Sequence, residues 1–280
     1  MLTLVYMGWY NQIKILRSII MRFGMCMGVE SPEYIKLIKE SGYDYVECGF
    51  GGLSRADDAV FESFKAALIE NGMKCEAANS FFPGDYPIIN HNYKCKEYSD
   101  FIEKGMARGK EIGMKFVVFG SGNARKVPEG TSYAEGFRQL GDFLGSVVSP
   151  IAEKYGINVV VEPLRKDESN IINTVKEGTA LAVLSGKDNI ACLADLYHMV
   201  KDGNEDIRQL KGSIRHAHIS NPTERDGMTR GFPKSLDEYD YKGFIDALEY
   251  AGCERCSVEA RCTDYPVDVA ETGKLLSQLK

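Results

Sequence analysis

Short apolar runs recur along this chain from Met21 onward, and most are introduced by a glycine followed by an apolar residue. The junctions are Gly42-Tyr43, Gly72-Met73, Gly113-Met114, Gly156-Ile157 and Gly252-Cys253, with Gly186 and Gly212 as looser cases. A glycine just past a helix end adopts the left-handed conformation at little steric cost. Each junction therefore reads as a helix returning to a strand. Seven returns, with the strand that opens at Arg22, predict eight strands: Arg22–Met27, Tyr45–Gly49, Lys74–Asn79, Phe116–Gly120, Ile157–Glu162, Ile190–Asp195, Ile214–Ile219 and Cys256–Ala260.

The stretches between them carry helical patterning. The first is marked by Ser31 as N-cap, Pro32 at the first helical position and an apolar stripe of Ile35, Leu37 and Ile38. Others are expected over Ala56–Asn71, Tyr93–Ile112, Tyr133–Tyr155, Val175–Ser185, Glu205–Lys211, Tyr241–Ala251 and Val267–Leu279. Strict alternation of strand and helix over about 260 residues predicts an α/β fold, a (β/α)8 TIM barrel. An open doubly wound sheet fits less well, because no Gly-rich dinucleotide turn follows the first strand. No internal stretch is rich enough in Pro, Gly or Ser to divide the chain, so residues 21–280 read as one barrel domain. Residues 1–20 stand apart as an N-terminal extension. They hold the only tryptophan, Trp9, and their charges, Lys14 and Arg17, come too late for a signal peptide.

Composition adds exclusions. A formal net charge of −6 argues against a nucleic-acid-binding face, and nothing is long and apolar enough to span a membrane. Most of the eight cysteines, Cys26, Cys48, Cys75 and Cys192 among them, fall inside predicted strands, where a free thiol packs as a small apolar group. A reducing, cytoplasmic setting is expected. Cys253-x-x-Cys256 has no second CxxC partner and reads as structural rather than as a zinc or redox motif.

The chemistry sits at strand ends. The run Ile157–Val161 closes on Glu162-Pro163, which puts a carboxylate at the mouth of the barrel. Side chains two apart on a strand share a face. Val160 and Glu162 therefore point together, as do Ala191, Leu193 and Asp195, and His216 and His218. Glu259 ends the last strand. If these faces point inward, Glu162, Asp195, His218 and Glu259 converge from four consecutive strands. Three carboxylates and an imidazole make a hard, oxygen-rich site suited to one divalent metal, Mn²⁺ first, with Mg²⁺ or Co²⁺ as alternatives. Each residue has a plainer role open to it: Asp195 as a helix cap, His218 as a buried histidine bonded to backbone, Glu259 as a partner of Arg261. His216 reads as a support or barrel filler. His198 falls on the rim, where it could donate to a substrate oxygen, and His91 reads as a surface loop residue. The rim segments Phe81–Gly84 and Gly120–Arg125 follow strands three and four, and the second could cradle a phosphate through backbone N–H groups.

At these residues the chain resembles a known family. Glu-Pro-Leu-x-x-x-Glu at 162–168, followed by Ile-Ile-Asn-Thr at 171–174, is similar to a segment of the ketose 3-epimerases of the D-tagatose and D-allulose type. These belong to the xylose-isomerase-like barrel superfamily. Asp195-Leu-Tyr-His198-Met199 resembles that family's Asp-x-x-His-Met. His218-Ile219-Ser220 with Arg225 resembles its His-Ile-Ala and following arginine, and Ser257-Val258-Glu259 its final metal-ligand strand. The resemblance is specific over roughly 157–260 and topological before that.

The resemblance implies that Glu162, Asp195, His218 and Glu259 hold one metal. It implies that Glu162 and Glu259 also transfer the proton, and that Glu168, His198 and Arg225 contact substrate oxygens. The implied activity is epimerisation or isomerisation of a ketose or related polyol through an enediolate, with a small-molecule sugar or polyol as the only required partner and self-association left open. The main alternative is a lyase on the same metal site, a keto-inositol dehydratase or a C-glycoside-cleaving subunit. An apurinic endonuclease would be expected to need more histidines than the four present, and a barrel that merely binds sugar would not need both glutamates. Because the barrel pattern begins at Met21, a protein starting there is expected to fold and keep its activity. Loss of soluble protein on removing residues 1–20 would assign that segment to the barrel's stability.

Overall fold

Eight parallel strands pair in chain order and close on themselves, β1 against β8, in the computed structural model, which describes residues 20–203, 205–225 and 227–280. The N-terminal extension proposed over residues 1–20 lies outside the described residues, except for Ile20. The strands are β1 Arg22–Met27, β2 Tyr45–Gly49, β3 Cys75–Asn79, β4 Phe116–Phe119, β5 Asn158–Val161, β6 Ile190–Asp195, β7 Ile214–Ile219 and β8 Arg255–Val258. The helices are α1 Tyr34–Glu40, α2 Phe50–Arg55, α3 Asp58–Glu70, α4 Lys96–Ile112, α5 Tyr133–Phe143, α6 Ser149–Tyr155, α7 Val175–Leu184, α8 Leu196–Lys201, α9 Tyr241–Ala251 and α10 Tyr265–Leu276. The (β/α)8 architecture expected from the alternation is the one observed.

All seven junction glycines have positive φ, from +61° to +91°. Each return from helix to strand at the bottom of the barrel thus uses a conformation that a side chain would strain. Local details depart from expectation. The first helix starts at Tyr34, because Ser31 and Pro32 form a preceding turn in which the Ser31 carbonyl accepts from Tyr34 N at 3.2 Å. The segment after β6 is helical at once, as α8, while the expected helix over 205–211 is only a 3₁₀ turn at Ile207–Leu210. The long helix expected over 133–155 is α5 and α6 joined by a π-helical turn, Leu144–Val148.

Strand parity separates two apolar zones. Tyr45, Ala77, Phe116, Val118, Val160, Ala191 and Leu193 fill the barrel interior, and the alternate residues pack outward against the helices. The inward faces assigned to Val160, Ala191 and Leu193 are therefore the observed ones. At the floor, Glu76 accepts from Arg22 (2.6 and 2.7 Å) and Arg255 (3.0 Å). Above it Tyr45 and Ser257 share a hydrogen bond of 2.9 Å. The floor is closed and satisfied, which leaves polar chemistry to the opposite end.

Gly24 shows how tight the interior is. A Cβ there would lie 2.2 Å from the Tyr45 ring and 2.7 Å from Ser257 Oγ. Gly24→Ala should destabilise the barrel by about 1–3 kcal/mol, as overpacking does. A urea midpoint unchanged from the parent would show that the Tyr45 ring has room to move.

Candidate active site

Glu162, Asp195, His218 and Glu259 each offer one ligand atom to a cluster in which these atoms lie within 4.8 Å of one another. Backbone pairing sets their heights. Glu162 and Glu259 stand one residue beyond β5 and β8, and their N–H groups still continue the sheet, to Phe119 O at 3.1 Å and Ile219 O at 3.2 Å. A register shift between Cys192 and Leu193 brings Asp195 level with His218. Glycine at 120 is required on the neighbouring strand end, because a Cβ there would lie 2.3 Å from Glu162 Oε2.

His218 is oriented from below. Its Nε2 bonds Glu47 Oε1 at 2.8 Å, while Nδ1 faces Glu259 Oε2 at 2.9 Å and Glu162 Oε1 at 3.3 Å. Glu47 is wholly buried and also bonds His216 Nε2 at 2.7 Å. Burial opposes the charge on Glu47, yet the two imidazoles outweigh it and hold the carboxyl well below its usual range. A carboxylate behind an imidazole fixes its ring and keeps a proton on the nitrogen that faces it, leaving the other to act as a ligand. For His218 burial works against the charged form, but Glu47, Glu259 and Glu162 raise its pKa well above the usual value. His216 stacks on Phe116 with ring planes 3° apart, and burial lowers its pKa.

Asp195 serves two purposes. Its Oδ1 accepts from His198 N at 3.1 Å and caps α8, and its Oδ2 faces the cluster, 3.7 Å from His218 Nδ1. The cap role and the cluster role thus belong to different oxygens of one side chain. Glu259 does not turn to Arg261. Its Oε1 accepts from Asn79 Nδ2 at 3.0 Å and its Oε2 from Arg230 Nη2 at 2.5 Å. The same Nη2 lies 2.9 Å from Asp195 Oδ2. Burial pushes the Glu259 pKa up, but Arg230 and His218 outweigh it and bring it to about 2. Burial, then the neighbouring charge of Glu259, raises Glu162 despite its hydrogen bond to His218. Three carboxyl groups and one imidazole, among which a guanidinium is already drawn, make a donor set that fits a hard divalent cation.

The residues expected around the substrate divide. His198 is buried rather than on the rim. Its Nδ1 accepts from Arg165 N at 3.2 Å, so the neutral ring carries its proton on Nε2. That Nε2 has no hydrogen-bond partner and lies 3.9 Å from Glu162 Oε1 and 4.0 Å from Glu168 Oε2. Glu168 is partly exposed and bonds Arg165 Nε at 2.7 Å. Arg225 turns away from the cluster, pairing with Glu238 and donating to Phe232 O at 3.1 Å. Arg230, five residues on, is the arginine that reaches it.

The turn after β4 is engaged internally. Ser121 Oγ accepts from Phe82 N at 2.9 Å, and the fully buried Arg125 donates to Phe119 O, Glu162 O and Ile172 O at 3.2, 2.8 and 3.3 Å. Arg125 therefore braces the backbone of Glu162 from behind. Burial lowers its pKa to about 10. His91 is exposed, and Cys253 and Cys256 are buried free thiols.

Sequence reasoning passed over Glu47, Asn79, Arg125 and Arg230. Glu47 had a signal, since it lies on the inward parity of a strand whose other residues are apolar, and a buried charge demands a partner. Glu47→Gln should destabilise the metal-free protein by about 3 kcal/mol at neutral pH. The folded carboxyl is depressed, so its contribution is present above the ordinary value of 4.5 and is lost as pH falls toward the folded value. The stability gap between parent and variant should therefore narrow in acid, as read by denaturant titration at several pH values. A gap constant from pH 7 to pH 3 would contradict this account.

Comparison with known proteins places the fold. The family model described as "Xylose isomerase-like TIM barrel" matches residues 35–278. The chain is 22% identical over 177 residues to the D-psicose 3-epimerase of Agrobacterium fabrum, covering 59% of this chain and 58% of that protein. It is 31% identical over 108 residues to the L-ribulose 3-epimerase of Mesorhizobium japonicum, covering 38% of this chain and 34% of that protein. These alignments span less than two thirds of the relatives' length. Among solved structures, 3-keto-D-glucoside 4-epimerase from E. coli superposes with a TM-score of 0.72 at 22% identity, covering 92% of this chain and 98% of that chain. An L-ribulose 3-epimerase superposes with a TM-score of 0.76 at 18% identity, covering 93% of this chain and 94% of that one. At these identities the superpositions speak for the fold, and the family-model match extends over most of the chain: this protein belongs to the xylose isomerase-like TIM barrel family.

Proposed function

We propose that the chain is a divalent-metal-dependent epimerase or isomerase of a ketose or related keto-sugar, with Glu162 and Glu259 as the proton-transfer pair. One observation carries this reading: a buried glutamate at the end of β5 and a partly buried one at the end of β8 meet at a four-ligand cluster into which the unpartnered Nε2 of His198 also points. The epimerase relatives of the family support the choice of substrate class.

Glu162, Asp195, His218 and Glu259 would hold the ion, with Mn²⁺ the first choice. When bound it supplies a Lewis acid that offsets negative charge developing on substrate oxygens. The remaining work falls to side chains. One glutamate removes the proton beside the carbonyl, and the C–H electron pair moves to give the enediolate. The other glutamate returns a proton from the opposite face, which inverts the centre. Return to the adjoining carbon instead would move the carbonyl. His198 Nε2–H donates to a substrate oxygen, and Glu168 accepts from a hydroxyl. Glu47 keeps the His218 ring in place and Arg125 keeps the Glu162 backbone in place throughout. The polar mouth suits a sugar and needs neither nucleic acid nor membrane. Eight free cysteines support a reducing, cytoplasmic setting.

Glu162→Gln and Glu259→Gln each keep an oxygen at the cluster and lose the base. Turnover of the responsive ketose should fall on the order of 10²–10⁴-fold in each, and the double variant should be little worse than the poorer single one. The measurement is deuterium uptake beside the carbonyl in heavy water, with bound Mn²⁺ assayed in parallel. Parent rates of exchange and epimerisation in both metal-loaded variants would end the two-glutamate mechanism. A dehydrated, ultraviolet-absorbing product from the parent protein would make it a lyase.

A further inference from the structure

Arg230 lies where a metal would be held. Its Nη2 is 2.5 Å from Glu259 Oε2, 2.9 Å from Asp195 Oδ2 and 4.0 Å from Glu162 Oε1. The guanidinium thus engages two of the oxygens that face the cluster and approaches a third. It packs against Tyr197, 5.4 Å from the ring centroid, and its Nε is buried without a hydrogen-bond partner. The side chain is 17% exposed, so it is not sealed in.

The backbone that presents it is unusual. Arg230 has φ +60°, a region sparsely populated by residues with a Cβ. It is held there by its neighbours. Arg261 N donates to Arg230 O at 2.8 Å, and Asn221 N donates to Gly231 O at 2.8 Å. Arg225 closes a tight turn through Arg225 N to Met228 O (3.0 Å) and Met228 N to Arg225 O (2.9 Å), and its side chain ties the loop to Glu238. Arg225 is thus the brace of the loop between β7 and α9, and Arg230 is what that loop delivers.

We propose that Arg230 is an internal cation that occupies the ligand cluster of the metal-free chain, and that a divalent ion enters by displacing it. The inference rests on the metal-site reading above. The oxygen lone pairs that would bind the ion are those the guanidinium uses, and a buried divalent charge beside a buried guanidinium is repelled. Both cations neutralise the same carboxylates, so they compete. Displacement frees the Arg230 side chain from Asp195 and Glu259 and removes the tie between the 221–231 loop and the cluster, which couples metal entry to that loop. Arg230 is a positioning residue in this scheme, and metal affinity is its signature.

The test is Mn²⁺ binding by calorimetry to the metal-stripped full chain, to Arg230→Gln and Arg230→Ala, and to Arg138→Gln as a surface control. Arg230→Gln should bind Mn²⁺ about tenfold more tightly or better, although its metal-free form melts several degrees lower. Millimolar guanidinium should restore the melting temperature of Arg230→Ala and compete with Mn²⁺. The control should match the parent. In the parent itself, Mn²⁺ should raise amide hydrogen exchange across 221–231, a measurement that stands even if the variants fail to fold. Equal or weaker Mn²⁺ binding by a folded Arg230→Gln, or exchange over 221–231 indifferent to Mn²⁺, would overturn the proposal while leaving the metal site intact. Absence of Mn²⁺ binding in every form would instead remove the metal-site reading and this proposal with it.

Discussion

Crowding of like charge at the mouth of the barrel governs the rest of the structure. Three acidic side chains approach one another at the ends of β5, β6 and β8, all but Glu259 almost fully buried. Burial in low dielectric disfavours each charge, and each neighbour disfavours the next. The arrangement persists because cations are built around it. His218 enters from β7 with Glu47 behind it, and Arg230 reaches over from the loop above. The interior below has no such demand, and it fills with apolar side chains over a floor where Glu76 is answered by two arginines. The molecule is therefore divided along the barrel axis into a satisfied half and a half whose electrostatics call for a positive ligand.

The strand ends were legible because two independent periodicities meet there. Parity along a strand says which residues face inward, and the glycine returns say where each strand begins. Together they place Glu162, Asp195, His218 and Glu259 at similar height before any coordinates are known. Short helices were harder. α8 forms because Asp195 caps it within the strand's own last residue, and in the sequence that residue reads equally well as a cap or as a ligand. Arg225 and Arg230 were not separable from sequence, since both sit in one long loop and only its pairing with Gly231, Met228 and Arg261 decides which of them reaches the cluster. Arg125 looked like part of a glycine-rich anion loop. Its burial against three carbonyls follows from tertiary packing between the turn after β4 and the segment after β5, and no local pattern encodes it.

TIM barrels carry their chemistry on the loops at the C-terminal ends of the strands, and the distribution of rigid features in this chain agrees. Bottom returns are fixed by left-handed glycines, while among the described residues the non-glycine positions with positive φ, Ser80, Asn90, Ser121, Ile172 and Arg230, lie in the upper loops. Conformational strain is concentrated at the end of the barrel where a ligand would sit.

The cap on α8 has a coordination-chemistry consequence. An aspartate free at both oxygens can chelate a cation through four-membered geometry and fill two positions on it. Asp195 has one oxygen committed to the His198 amide, so it can offer a single donor atom. A helix N-terminus would thereby set how many oxygens Asp195 could turn toward a cation held at this cluster.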